Sequence, residues 1–179
     1  HSGNVSRIES ITYSSDTFTG RTNDLITARH GIVGQSSETH GYASCGHSGA
    51  YSNQIEKFSL STDSASTDVG DATVAQHSAG SASSTIHGYI AGGSGRSDII
   101  ERTAFATDGN SSDVGDLTAG KSSISGHSSF THGYTCGGEA AGTGDNGIDV
   151  IEKYAFASSG NGIDVGNISE TRLSVSGVM

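Results

Sequence analysis

Histidines are the residues with the most chemistry to offer in this sequence, because imidazole nitrogens bind metals and exchange protons near neutral pH. Three of the eight, His40, His87 and His132, each begin a His-Gly-Tyr triplet, at spacings of 47 and 45 residues. Equivalent positions of a repeat lie in successive structural units, too far apart to share one zinc ion at ~2.0–2.1 Å. We therefore predict strand-end histidines that bond neighbouring loops, with no metal site and no cofactor.

No other pattern completes a metal or catalytic site. The segment Asp108-Gly109-Asn110-Ser111-Ser112-Asp113 spaces oxygen atoms like part of a calcium loop. The parallel segment 63–68 has Ala at its third position and no terminal Glu, so both are interpreted as polar turns. The sequence also has no nucleophile elbow before a helix, no P-loop lysine and no catalytic carboxylate pair. We predict that the protein is not an enzyme.

Charge and cysteine content exclude two further classes. Nine basic and 19 acidic residues give a net charge of −10, and no two basic residues adjoin. Phosphate binding needs clustered Lys and Arg, so we predict no nucleic-acid partner. Cys45 and Cys136 lie 91 residues apart in non-adjacent repeats, which favours two small buried thiols over a disulfide.

The composition favours an all-β repeat protein. The chain of 179 residues contains 27 Gly, 32 Ser and 17 Thr, only 32% apolar residues, and no Pro or Trp. This alphabet cannot supply the apolar heptads of a helical bundle, an apolar run of about 18 residues for a membrane span, or collagen triplets. We therefore expect no membrane insertion, and the choice is between disorder and repeated β-structure.

An internal repeat decides against disorder. The pair Ile-Glu occurs at Ile8, Ile55, Ile100 and Ile151, at spacings of 47, 45 and 51 residues. A solvated coil has no need to keep apolar positions in register, and this period is typical of propeller blades. We predict one repeat domain over 1–179, with units of approximately 1–25 (partial), 26–72, 73–117, 118–168 and 169–179 (partial).

Each unit is predicted to contain four short strands separated by turn-forming residues. In the unit 73–117, the predicted strands are Thr73–Ser81, Thr85–Ala91, Asp98–Phe105 and Asp113–Leu117. The loop between the second and third strands varies most in length between units, and variable loops on fixed strands commonly bind ligands.

The same unit carries a recognisable order of motifs: Gly88-Tyr89-Ile90-Ala91-Gly92-Gly93, then Ile100-Glu101-Arg102 and Phe105, then Asp113-Val114-Gly115-Asp116-Leu117. This order resembles the kelch motif, in which a double glycine ends the second strand, an aromatic residue follows in the third, and a Trp usually opens the fourth. The resemblance covers nearly the whole chain. It implies an all-β, kelch-like β-propeller with four-stranded blades of about 45–51 residues.

The chain departs from the kelch motif in two respects. Valine stands in place of Trp, and Ser44-Cys45-Gly46 replaces the double glycine in one unit. The combination of His-Gly-Tyr-x-x-Gly-Gly, Ile-Glu-Lys-Phe and Asp-Val-Gly-Asp-Leu-Thr is similar to kelch-like repeats in virion and tail-appendage proteins of aquatic tailed phages. That likeness implies an extracellular or virion-surface protein and no reaction. Some kelch-type oxidases bind copper through Tyr, His and a modified Cys, but here these residues are ordinary repeat positions.

The number of units does not complete a ring. The chain holds four third-strand motifs but only three His-Gly-Tyr strands, and kelch propellers usually have six or seven blades. Two arrangements stay open. In the first, which we favour because a short ring exposes strand edges, the chain belongs to a larger ring or assembly. In the second, the N-terminal strand pair and the C-terminal strand combine into an incomplete fourth blade.

The leading functional hypothesis is a non-enzymatic structural or adhesion module of an extracellular or virion appendage, which binds cell-surface carbohydrate through its inter-strand loops. Aromatic and planar polar side chains suit sugar stacking, and the candidate binding residues are His47, Tyr51, Arg96, Asp145 and Asn146. One alternative is a purely structural subunit that docks on copies of itself or on other appendage subunits to form a fibre or ring. A propeller hydrolase or oxidase is the least favoured alternative.

Three asparagines begin N-glycan acceptor triplets: Asn4, Asn110 and Asn167. Such triplets arise by accident in a Ser-rich chain, and they carry sugar only if the protein is secreted through a eukaryotic-type pathway.

Overall fold

The computed structural model describes residues 3–21, 23–143 and 147–173, and every regular element in these ranges is a β-strand. The strands are β1 (Glu9–Thr12), β2 (Thr17–Gly20), β3 (Val33–Ser36), β4 (His40–His47), β5 (Tyr51–Ser59), β6 (Thr67–Asp71), β7 (Gly80–Ser83), β8 (His87–Ala91), β9 (Ile99–Ala104), β10 (Ser112–Asp116), β11 (Lys121–Ser122), β12 (Ser125–Ser128), β13 (His132–Cys136), β14 (Glu139–Ala140), β15 (Ile148–Ala155) and β16 (Ile163–Arg172). The prediction of an all-β protein is confirmed. No helix capable of spanning a membrane occurs in the described ranges.

Three four-stranded antiparallel sheets make up most of the molecule. The first sheet has the order β3-β4-β5-β6, the second β7-β8-β9-β10, and the third β12-β13-β15-β16. The first strands of the three sheets lie side by side, because β7 contacts both β3 and β12. Two smaller pairs, β1-β2 and β11-β14, complete the topology. The third sheet continues to Arg172, past the unit boundary predicted at 168.

The strand predictions for the unit 73–117 hold for three of its four strands. The predicted second, third and fourth strands correspond to β8, β9 and β10. The predicted first strand, Thr73–Ser81, is wrong, because β7 begins only at Gly80. Two local features prevent an earlier start. The backbone N–H of Thr73 donates to the Glu101 carboxylate at 2.6 Å, and Ser78 has a φ of +57°, outside the extended region.

A buried glutamate lies in the third strand of each four-stranded sheet. The side chains of Glu56, Glu101 and Glu152 come from the repeated Ile-Glu pair, and all three residues are fully buried. A carboxylate out of water is strongly destabilising unless hydrogen bonds or a cation compensate it. The partners of these glutamates therefore determine how each sheet is assembled.

Glu56 in the first sheet has three partners. It accepts hydrogen bonds from the backbone N–H of Ile26 at 2.7 Å and from the Ser66 hydroxyl at 2.5 Å. Its other oxygen, Oε1, lies 2.8 Å from Nη1 of Arg29, and neither side chain is exposed to solvent. The carboxylate thus joins the segment that enters the sheet to the start of the fourth strand.

The other two sheets repeat this arrangement with different side chains. In the third sheet, Glu152 accepts from the backbone N–H and the hydroxyl of Thr118, and pairs with Lys121 at 2.8 Å. In the second sheet, Gln76 replaces the cation and donates to Glu101 at 3.5 Å. Positions 29, 76 and 121 are separated by 47 and 45 residues. The partner of the glutamate therefore stands at the same repeat position in each four-stranded sheet, although only two of the three partners are charged.

Aromatic rings stack across the interfaces between sheets. The Tyr42 ring of the first sheet stacks on Phe105 of the second, with centroids 4.6 Å apart. The Tyr89 ring of the second sheet stacks on Phe156 of the third at 4.7 Å. Tyr89 also belongs to the larger apolar core, which contains Ala82, Ala91, Ile100, Leu117, Ile124 and Tyr154.

The glycine of the His-Gly-Tyr triplet allows an aromatic ring to pack directly on the strand. A Cβ atom at Gly133 would lie 2.4 Å from Cζ of Tyr154, and one at Gly41 would lie 2.4 Å from Cζ of Phe58. Carbon atoms that are not bonded to each other do not approach this closely, so any larger residue at either position would displace the ring. The triplet is therefore a packing motif.

Replacing Glu152 by Gln should strongly destabilise the protein, because it leaves the buried Lys121 ammonium without its compensating charge. We expect the free energy of unfolding to fall by about 3–5 kcal/mol. Glu9→Gln is the matched control: it changes the same motif position where the carboxylate is exposed, and should change stability by about 0.5 kcal/mol or less. Urea denaturation followed by circular dichroism measures both. Equal effects would contradict the role given to the buried carboxylate.

Replacing Gly133 by Ala should destabilise the third sheet by about 1–3 kcal/mol through overpacking against Tyr154. Gly34→Ala is the control, since nothing lies within 4 Å of a Cβ at that strand position. It should leave stability unchanged or slightly raise it, because alanine lowers the entropy of the unfolded chain. Thermal denaturation of both variants checks the prediction, which fails if Gly133→Ala is as stable as the wild type.

Candidate functional site: a cluster of histidine and tyrosine rings

Two consecutive residues with positive φ lie near the end of the second strand of each four-stranded sheet, inside β4 and directly after β8 and β13. These pairs are Cys45-Gly46, Gly92-Gly93 and Gly137-Gly138. Cys45 adopts a φ of +60° where the other sheets have glycine at +66° and +60°. The irregular first copy of the double glycine therefore keeps the backbone shape of the others, and the loops of all three sheets emerge in the same way.

Four rings meet beside the first of these loops. His47 ends β4, Tyr51 begins β5, and His30 and His77 belong to the segments that enter the first and second sheets. The centroid of His77 lies 5.0 Å from Tyr51, 5.9 Å from His47 and 6.2 Å from His30. His47 in turn lies 5.1 Å from His30 and 5.4 Å from Tyr51. We call these four residues the ring cluster.

Backbone hydrogen bonds bring the ring cluster together. His30 and His47 exchange both of their backbone hydrogen bonds, at 3.1 and 2.9 Å. Gly46 N–H donates to the carbonyl of Gln76 at 2.8 Å, which holds His77 beside the end of β4. These bonds join main-chain groups. The four rings are therefore held close to one another by the backbone, and no attraction between the side chains is needed.

The ring cluster lies at the surface and is electrostatically neutral at its centre. Tyr51 is 52% exposed, and His30 is also exposed, whereas His47 and His77 are half-buried. Burial lowers the pKa of His77, and the nearby His47 and His30 lower it further because protonated imidazoles would repel one another. The His77 ring is therefore uncharged at neutral pH, with both donor and acceptor capacity.

Three neighbouring imidazoles suggest a metal site, but the arrangement does not form one. Within residues 3–21, 23–143 and 147–173, no group of three His, Cys, Asp or Glu side chains is placed to hold a metal ion. One nitrogen of His30 is already bonded to Asn4 Oδ1 at 2.8 Å, and one of His77 to the Ser78 hydroxyl at 2.7 Å. The cluster instead offers ring faces and edges.

Of the three predicted binding residues that the structure describes, it brings together His47 and Tyr51. Arg96 lies on the next loop, has a φ of +57°, and pairs through its guanidinium with Glu139. Ser94 on this loop is bonded to the backbone of His77 at 2.9 and 3.1 Å, so the loop borders the ring cluster. Asp145 and Asn146 fall outside the described residues.

Sequence reasoning missed His30 and His77, although a signal was present. These two histidines are 47 residues apart, and each directly follows the buried residue that binds a third-strand glutamate. The repeated His-Gly-Tyr triplets indicated His40, His87 and His132 instead. These three lie at the opposite end of the sheets, where the hydroxyls of Thr39 and Thr131 bond the rings of His40 and His132 at 2.8 Å.

The opposite end of the sheets also contains a groove of about 600 Å³ between the turns that join first and second strands. Serines at equivalent positions of the three sheets line it, together with the fully exposed ring of Phe130. Two of these serines already act within the fold: Ser83 and Ser128 accept hydrogen bonds from the backbone of the neighbouring sheet at 3.1 and 2.8 Å.

The cysteines and the acceptor asparagines have structural environments of their own. Both cysteines are free thiols; Cys45 is buried and Cys136 is half-buried, so the expectation of burial holds fully only for Cys45. Burial raises the pKa of Cys45 to about 12, which makes it unreactive at neutral pH. Asn4 bonds His30, Asn110 bonds the backbone N–H of Asp71 at 3.0 Å, and Asn167 is exposed on β16. Glycosylation of these asparagines stays a prediction.

No protein-family model matches the chain, and no curated protein matches it significantly.

The lowered pKa of His77 should appear directly in an NMR titration of the imidazoles. We expect its midpoint below the ordinary value of 6.5. His47→Ala should raise this midpoint, because it removes a repulsive neighbour, but not restore it fully, because burial is the larger cause. His132→Ala, at the opposite end of the sheets, is the control and should leave it unchanged.

The same shift affects stability. The folded state binds fewer protons at His77 than the unfolded state, so stability decreases as the pH falls through 6.5. The loss should be smaller in a His77→Asn variant, measured as urea midpoints at neutral and acidic pH. An unchanged pH dependence would contradict the perturbed titration.

Proposed function

We propose that this chain is a non-enzymatic adhesion and structural module of an extracellular or virion appendage, and that the ring cluster binds cell-surface carbohydrate. The observation that carries this proposal is the meeting of His47 and Tyr51, on one sheet, with His77 from the next. A ligand seated there contacts two sheets at once. Its binding therefore depends on side chains from two sheets and not on a single loop.

The chemistry of the ring cluster suits a sugar better than a charged ligand. Tyr51 presents an exposed aromatic face, on which the apolar face of a pyranose ring packs. One nitrogen of the uncharged His77 imidazole is bonded to Ser78, and the other can donate to or accept from one sugar hydroxyl. Uncharged groups with mixed donor and acceptor capacity match the hydroxyls of a neutral glycan, and the net charge of −10 disfavours anionic ligands.

The scaffold that we propose is a kelch-like β-propeller segment that forms part of a larger ring. Two features support it: successive four-stranded sheets with their first strands side by side, and the period of 47, 45 and 51 residues. Loops of equivalent strands emerge at one end of such a scaffold, which is where the ring cluster and the Arg96 loop are found.

A glycan array tests the proposal, followed by titration of the best-bound oligosaccharide by calorimetry. Tyr51→Ala should weaken binding at least about 10-fold, the loss expected for one aromatic stacking contact. Tyr13→Ala is the matched control, since Tyr13 is 87% exposed on the β1–β2 turn, away from the cluster; it should bind as the wild type does. Arg96→Ala tests whether the neighbouring loop contributes. Failure to bind any oligosaccharide, or full binding by Tyr51→Ala, would overturn the proposal.

A further inference from the structure

Successive sheets are joined through the outer strand of one and the segment preceding the outer strand of the next. Gly109 N–H donates to the carbonyl of Val69, and Gly160 N–H to that of Val114, both at 2.7 Å. The approach is close enough that a Cβ at Gly70 would lie 2.3 Å from the Gly109 carbonyl carbon. The Asp-Val-Gly-Asp motif is thus an edge that the following sheet covers.

Among the described residues, nothing covers the same motif in the outer strand of the third sheet. Its sequence is Asp164-Val165-Gly166-Asn167, and nothing lies within 4 Å of a Cβ at Gly166. Ile163 and Val165 on this strand are 55% and 45% exposed. An exposed strand edge with apolar side chains is a template for pairing with another chain.

Arg172, at the end of this strand, occupies the repeat position of the buried partners Arg29, Gln76 and Lys121. The backbone shows this independently of the spacing. Gly46, Gly93 and Gly138 donate to the carbonyls of Gln76, Lys121 and Arg172 respectively, each at 2.8 Å. The guanidinium of Arg172, however, pairs with Glu170 two residues earlier, and these side chains are 56% and 73% exposed.

Glu9 is the complementary half of the same site. It follows the buried Ile8, as Glu56 follows the buried Ile55, but its partner is Arg7 at 3.7 Å, and their side chains are 41% and 69% exposed. The β1–β2 hairpin that carries Glu9 also exposes Phe18, at 61%. Within the described residues, Glu9 therefore holds the carboxylate position of the repeat without an entering cation, and Arg172 holds the cation position without the carboxylate of a following sheet.

We propose that copies of this chain associate head to tail, with the β16 edge of one copy against the β1–β2 hairpin of a second, so that Arg172 pairs with Glu9 of that second copy. The interaction reproduces the internal Arg29–Glu56 pair and covers apolar side chains on both surfaces. Because the two surfaces differ, the contact repeats from copy to copy and produces a ring or a fibre. The proposal is independent of carbohydrate binding, since the ring cluster takes no part in it.

Charge reversal tests the pairing by sedimentation velocity over a range of micromolar concentrations at physiological salt. The wild type should associate with increasing concentration. Arg172→Glu alone and Glu9→Arg alone should each raise the dissociation constant at least about 10-fold, because two like charges then face each other. Glu38→Arg makes the same change in net charge as Glu9→Arg at an exposed turn that belongs to neither surface, and should associate as the wild type does.

Mixing the two variants separates a direct pair from a loss of folding. In an equimolar mixture, the altered β16 edge of an Arg172→Glu copy can face the altered hairpin of a Glu9→Arg copy, which restores an opposite-charge pair. The unaltered surfaces of the two variants also match each other, so association should return to the wild-type level. The double variant E9R/R172E should also associate alone. A wild type that stays monomeric throughout, or a mixture that stays dissociated, would overturn the proposal; neither result would bear on glycan binding.

Discussion

The architecture depends on a carboxylate that is removed from water in each four-stranded sheet. The third strand cannot pack unless its glutamate is compensated, and the compensating groups come from the segment that enters the same sheet and from the residue before its last strand. One buried side chain thus ties together parts of the chain that are distant in sequence. The variation of the partner among Arg29, Gln76 and Lys121 shows that hydrogen bonding to the carboxylate is retained where charge neutralisation is not.

The candidate binding site is a consequence of that constraint. His30 and His77 each follow a residue whose side chain is buried against a glutamate, so both are carried to the same end of neighbouring sheets. There they meet His47 and Tyr51, which flank the loop after the second strand. Function on this scaffold therefore does not require a separate element, since the anchoring of the entering segments already places a row of surface positions across adjacent sheets.

The β1–β2 hairpin and the β16 edge are two unlike surfaces of this repeat array. Between them, the outer strands β6 and β10 are covered by the following sheet, and each third-strand glutamate has a partner in the segment that enters its own sheet. Within the described residues, Glu9 and Arg172 hold the same two repeat positions without these counterparts, and both side chains are exposed. The buried Arg29–Glu56 pair shows what kind of contact would fit at those positions.

The sequence by itself determined the all-β class, the four-stranded unit and the positions of β8, β9 and β10, because these follow from strand alternation, turn residues and a repeat of 45 to 51 residues. It also placed His47 and Tyr51 on one loop. Only the tertiary structure decided that Thr73–Ser81 is largely not a strand, that the repeated glutamates are buried, and that His30 and His77 join the ring cluster. The physical reason is the same in each case: the segments entering the sheets are held by hydrogen bonds to side chains some 25 to 34 residues away, and local propensity carries no information about such partners.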